Sequence, residues 1–118
     1  MLDDVKIVFN HYGSREEAAS AWNRRKVRVN YSNIFLIFDD ISDAEYQDLL
    51  DFNKIDCAGK VILTAKEYKD LPNCIQLSRY KKDCIMKPYL LDKNIWTGKN
   101  AADRDFDFVS WLNSGTAD

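Results

Sequence analysis

The sequence predicts a small three-layer α/β fold, a mostly parallel sheet with flanking helices. Three observations predict it. Two Ser-x-x-Glu boxes, Ser14 to Glu17 and Ser42 to Glu45, mark the starts of helices. Two short runs, the apolar Ile34 to Phe38 and Lys60 to Leu63 with its Val-Ile-Leu, have the length and the β-branched or aromatic content of strands. Strands and helices alternate over ~10–15 residues, the spacing of crossovers in a parallel sheet.

In chain order, Val5, Ile7, Val8 and Phe9 make a first buried strand. Gly13 punctuates it. The Ser14 hydroxyl and Glu17 carboxylate are placed to satisfy the orphan amides of a helix running to about Val27, with Ala18, Ala21, Trp22 and Val29 on one face. Ile34 to Phe38 is a continuous apolar strand of the kind covered on both faces. The box at Ser42 opens a helix bearing Tyr46, Leu49, Leu50 and Phe52, and Gly59 ends the connection to a third strand, Lys60 to Leu63. After Thr64 the pattern loosens. Cys74 to Leu77 reads as a short strand, and Tyr80 to Trp96 is irregular and broken by Pro88. Asp103 caps a last helix containing Phe106, Phe108, Val109, Trp111 and Leu112. Residues 1–113 are expected to form a single α/β domain and 114–118 a frayed tail.

A chain of 118 residues is long enough to bury one core without staples. Its 46% hydrophobic content excludes a disordered chain, and a net charge of −2 leaves no electrostatic footprint for nucleic acid. The longest uncharged apolar run, Ile34 to Phe38, is far below the ~20 residues of a bilayer span, so no membrane insertion is expected. The first residues carry neither a basic region nor an apolar signal core, which points to the cytoplasm. Cys57, Cys74 and Cys84 are an odd number without CxxC spacing, and with one histidine they argue for reduced thiols over a zinc site. No metal and no cofactor is implied: none of the four glycines sits in a phosphate loop, and there is no nucleophile elbow.

In open parallel sheets ligands bind beyond the carboxyl ends of the strands. Those ends carry Asn10, His11 and Tyr12 from the first strand, Asp39 and Asp40 from the second, and Thr64 and Lys66 from the third. An imidazole beside a carboxylate is the making of a general base, so His11, Asp39 and Asp40 are the candidate catalytic residues. The plainer alternative is that strand ends are polar because their loops meet water. Arg25 shares a helical stripe with Ala18, Trp22 and Val29, the stripe that should face the sheet. A guanidinium there must snorkel, pair with a carboxylate such as Asp39 or Asp40, or meet a ligand phosphate. Arg24, Lys26 and Arg28 lie to the sides, and Trp22 is assigned to the core rather than to a sugar-stacking platform.

Two resemblances follow. Val61 to Ala65 and Met86-Lys87-Pro88-Tyr89 resemble the fourth strand and the lysine–proline loop of response-regulator receiver domains, with Asp39 or Asp40 as phosphoacceptor. That resemblance implies a degenerate signalling domain, because Asn10-His11-Tyr12 stands where the family has magnesium-binding acids. The second covers nearly the whole chain. His11-Tyr12-Gly13-Ser14, Glu16, Glu17, Ala18, Trp22, Arg25, Arg28 to Tyr31 and Asn33 to Phe35 resemble a bacterial domain of unknown function, numbered nineteen-nineteen. Thr97-Gly98-Lys99 and Phe106 to Asn113 continue the likeness. The family is often labelled exopolysaccharide biosynthesis, and the chain resembles its C-terminal half, a Rossmann-like half-fold.

This resemblance implies a ligand that is a sugar phosphate or nucleotide-activated sugar. His11 would be base or hydrogen-bond donor with Asp39 and Asp40 as partners. Asn10, Tyr12, Thr64 and Lys66 would contact the ligand, and Arg25 or Arg28 would clamp its anion. The alternative is a non-catalytic assembly module, a homodimer or a partner of a missing N-terminal half, docking through Phe106, Phe108, Trp111 and Leu112.

Overall fold

A computed structural model describes residues 10–41 and 44–116. The chain divides into two compact units, Met1–Tyr31 and Ser32–Asp118. The strand expected at Val5 to Phe9 lies outside the described residues, as do Ser42 and Asp43.

The first unit contains helix α1, Arg15–Lys26. Its start follows the sequence closely: Ser14 Oγ accepts from Glu17 N at 3.1 Å, and Glu17 Oε2 accepts from Gly13 N at 3.1 Å. Glu16 and Glu17 occupy the first turn and Arg24, Arg25 and Lys26 the last, the order that complements the helix dipole. The face it buries is small, consisting of Ala18 and Ala21. Trp22 is 48% exposed and Val29 is exposed, which corrects their assignment to a buried stripe. Arg25 does lie one turn beyond Ala21, but in the last turn a long side chain reaches water, and it is exposed.

The second unit holds β1 (Phe35–Asp39), α2 (Tyr46–Asn53), β2 (Gly59–Thr64), β3 (Cys74–Gln76), a 3-10 turn (Ser78–Tyr80) and α3 (Phe108–Ser114). The three strands form a parallel sheet in the order β1-β2-β3, with Ile37 opposite Val61 and Leu63 opposite Ile75. Central β2 is the strand sealed on both faces: Val61, Ile62, Leu63 and Thr64 are fully buried. β1 is only half-buried, and Ile37 is exposed, contrary to the expectation of full cover.

Alternation along β2 sends its side chains into two cores. Val61 and Leu63 join Leu77, Tyr80, Met86, Tyr89, Ala102, Phe106 and Trp111. Ile62 joins Leu49 of α2 and Leu71, with Phe38, Phe52 and Tyr68 packed around them. One face is therefore covered by a helix, and the other largely by irregular chain.

Two helix starts differ from the sequence expectation. α2 begins at Tyr46, capped at Glu45, whose N–H is taken by Asp48 Oδ2 at 2.9 Å. α3 is capped by Asp107, which accepts from Val109 N at 3.0 Å and Ser110 N at 3.1 Å. Asp103 instead accepts from Asn100 N at 2.9 Å and closes a turn. Phe106, just before the cap, packs its ring 5.6 Å from Trp111, the staple geometry that fixes the entry of a helix. α3 ends at Gly115 in the left-handed region, φ 76°, where a Cβ would come within 2.6 Å of the Ala58 carbonyl oxygen.

Candidate functional site

β1 and β2 are neighbours in register, so their carboxyl ends lie side by side, with Asp39 opposite Leu63. Asp40 N donates to Leu63 O at 3.0 Å and carries the ladder one residue further. Successive residues of a strand point to opposite faces, so the two aspartates diverge. Asp39 lies on the Leu63 face, where the Tyr89 hydroxyl acts on its carboxyl. Asp40 turns to the α2 side, where its Oδ2 accepts from Thr64 Oγ1 at 3.1 Å. The same Thr64 oxygen accepts from Lys66 N at 3.0 Å, which orients a fully buried hydroxyl. The two carboxylates thus serve separate faces and do not form a catalytic pair.

Electrostatics distinguish the two faces. Burial pushes the Asp39 carboxyl above its ordinary value, and the Tyr89 hydrogen bond offsets part of that. Tyr89 is pushed up to about 12, first by burial and then by the Asp39 charge. On the other face burial raises the Cys74 thiol to about 11, with the Asp40 and Asp70 carboxylates adding to the shift. Cys74 is therefore a protonated, unreactive thiol near neutrality. Nearby, Gln76 Nε2 donates to Ala65 O at 2.9 Å, the Tyr46 hydroxyl donates to Asp70, and the Tyr46 and Tyr68 rings stack at 5.7 Å.

Of the residues singled out from the sequence, Asp39, Asp40, Thr64 and the Lys66 amide gather at this edge. The Lys66 side chain is exposed. Asn10, His11, Tyr12, Arg25 and Arg28 belong to the first unit, where Tyr12 is half-buried and the other four are exposed. Tyr89 was missed as a site residue. The signal for it was the Met86 to Tyr89 loop, which brings Tyr89 to Asp39 while the Lys87 charge acts on Asp92. The expected docking face on α3 is also corrected. Phe106 and Trp111 are buried in the chain's own core and Phe108 packs against it, which leaves Leu112 and Val109 outward.

The sequence profile of a domain of unknown function, DUF1919, matches residues 1–113. An uncharacterized protein of Haemophilus influenzae is 30% identical over 112 residues, which is 95% of this chain and 53% of that protein. The chain spans about half the length of that relative. No solved structure matches this chain.

Proposed function

The chain belongs to the DUF1919 family of domains of unknown function, and from that premise we propose that it binds an activated sugar in surface-polysaccharide biosynthesis. The proposed site is the carboxyl edge of β1 and β2. The observation that carries this reading is the pair of diverging carboxylates, Asp40 held by the Thr64 hydroxyl and Asp39 facing the Tyr89 side. Oriented carboxylates accept hydrogen bonds from a hydroxyl-rich ligand, and the Lys66 ammonium at the same edge suits a phosphate. The raised Asp39 carboxyl is the group at this edge best suited to exchange a proton. On sequence grounds His11 keeps the role of base or donor, Arg25 or Arg28 that of anion clamp, and Asn10 and Tyr12 that of ligand contacts. The exopolysaccharide label of the family supports the pathway, and the cytoplasm is the proposed compartment. No helix of the described residues is long and apolar enough to cross a membrane.

A thermal-shift panel of sugar 1-phosphates and nucleotide sugars tests the reading. Saturable stabilisation is expected, weakened in Asp39→Asn and in Asp40→Asn. A panel with no saturable shift, or one that both variants leave untouched, would sink it. The roles of the first unit are read separately: capsule formation in cells that survives His11→Ala combined with Arg25→Ala removes them.

One observation favours a second reading, a non-catalytic assembly module. Val109, 70% exposed, and Leu112 lie on the outer side of α3. A homodimer in solution that Val109→Lys dissolves would favour it over the first.

A further inference from the structure

The loop between Asp92 and Ala101 contains no helix or strand, yet it is closely pinned. Lys93 and Asn100 bridge as an antiparallel pair, and Asn94 N donates to Lys99 O at 2.8 Å. Asn94 Oδ1 accepts from Trp96 N at 2.9 Å and Thr97 N at 3.0 Å. Gly98, at φ 70°, makes the left-handed turn that a side chain would strain. This ordered loop holds Ile95 at 95% and Trp96 at 93% exposure. Folding gains nothing from presenting an indole to water in this way.

Beside that indole lies a pocket of about 570 Å³ lined by Arg79, Asp92, Lys93, Trp96, Lys99 and Arg104, among others. Its volume falls in the ~300–1,000 Å³ range of small-molecule sites. The Asp92 carboxylate is taken by Arg79, through Nε at 3.1 Å and Nη2 at 3.4 Å, and by the Tyr80 hydroxyl at 2.9 Å. Among the described residues Lys93, Lys99 and Arg104 form no ion pair. The neighbouring acids are turned elsewhere: Asp103 accepts from Asn100 N, and Asp105 from the Ser78 amide and hydroxyl. In a chain of net charge −2, three cations without an ion pair among the described residues line one pocket beside an exposed indole.

We propose that this pocket binds a nucleoside diphosphate, its diphosphate on Lys93, Lys99 and Arg104 and its base stacked on Trp96. Both halves of the ligand are needed to use the surface. A diphosphate alone leaves the indole exposed, and a nucleoside alone leaves the cations unneutralised. The inference does not rest on the strand-end reading, because a nucleoside diphosphate without a sugar fills this pocket by itself.

Calorimetry on the whole chain with UDP, uridine and pyrophosphate, at roughly 50 mM salt, tests it. UDP is expected to bind about tenfold or more tightly than either fragment, and to weaken as salt is raised. Lys99→Glu with Arg104→Glu should weaken UDP by about tenfold or more. Trp96→Ala should bring UDP down to the affinity of pyrophosphate while leaving pyrophosphate unchanged. These side chains lie on the surface, and unchanged circular dichroism verifies that each variant folds; Lys93→Glu replaces any variant that does not. Absence of saturable UDP binding overturns the proposal, and so does UDP affinity that survives the charge reversals. Equal affinity for UDP and pyrophosphate overturns it as well.

Discussion

Helix α1 and the segment from Leu77 to Phe106 are opposites. α1 obeys every local rule, with a Ser14 cap, a reciprocal Glu17 bond and charges ordered along its dipole, yet its buried residues are two alanines. The later segment has one 3-10 turn and no longer helix, yet it supplies Leu77, Tyr80, Met86, Tyr89, Ala102 and Phe106 to the larger core. Regular backbone and buried apolar area are therefore separate contributions, and stability follows the second. The irregular segment satisfies its amides with local backbone turns and with side chains instead of a ladder. Asn100 Oδ1 accepts from Ala102 N and Asp103 N, and Asp105 Oδ2 accepts from Ser78 N.

The sharpest way to break this contrast is to empty the irregular side. Phe106 is nearly buried and meets both the Phe108 ring, at 4.7 Å, and Trp111. Phe106→Ala should cost about 3–5 kcal/mol in urea unfolding. Next comes Gly115→Ala. The left-handed backbone alone costs about 1–2 kcal/mol for a side chain, and contact with the Ala58 carbonyl adds to that. On the regular side, Ser14→Ala removes one cap and should cost about 1 kcal/mol. If Ser14→Ala proved as damaging as Phe106→Ala in the same titration, the contrast would fail.

The smallest effect has the opposite sign and belongs to the site. Burial raises the folded pKa of Asp39 above its unfolded value, near 3.9. Its contribution to stability is complete below that value and is lost as pH rises through the folded pKa. Asp39→Asn removes the penalty of a partly desolvated charge. It should raise the thermal midpoint slightly at pH 7, with the gain vanishing below about pH 4. A lower midpoint at pH 7 would show that the ionised carboxylate stabilises this edge.

Much of this architecture was legible from local patterns. The Ser14 box placed the start of α1, whose expected end at about Val27 is within a residue of Lys26, and the strand-like runs located β1 and β2. Asp39, Asp40 and Thr64 could be named as strand-end residues because a strand carries its own boundaries. The second box was misleading: Ser42 has the right spacing, but α2 is capped at Glu45. Asp103 was a comparable decoy for Asp107, since any aspartate near a helical run can accept an amide, and only the folded chain decides which one does.

By itself the sequence determined the kind of the three helices and three strands described, because periodicity and caps are written within a few consecutive residues. Tertiary structure alone decided burial and partnership. Trp22 and Trp111 are the same residue type in similar helical settings, yet one is half exposed and the other 2% exposed. Asp39 and Asp40 are adjacent, yet one meets Tyr89 and the other Thr64, because strand alternation sends them to faces covered by different parts of the chain. Those covering residues come from far along the sequence, and no local pattern records where they will arrive.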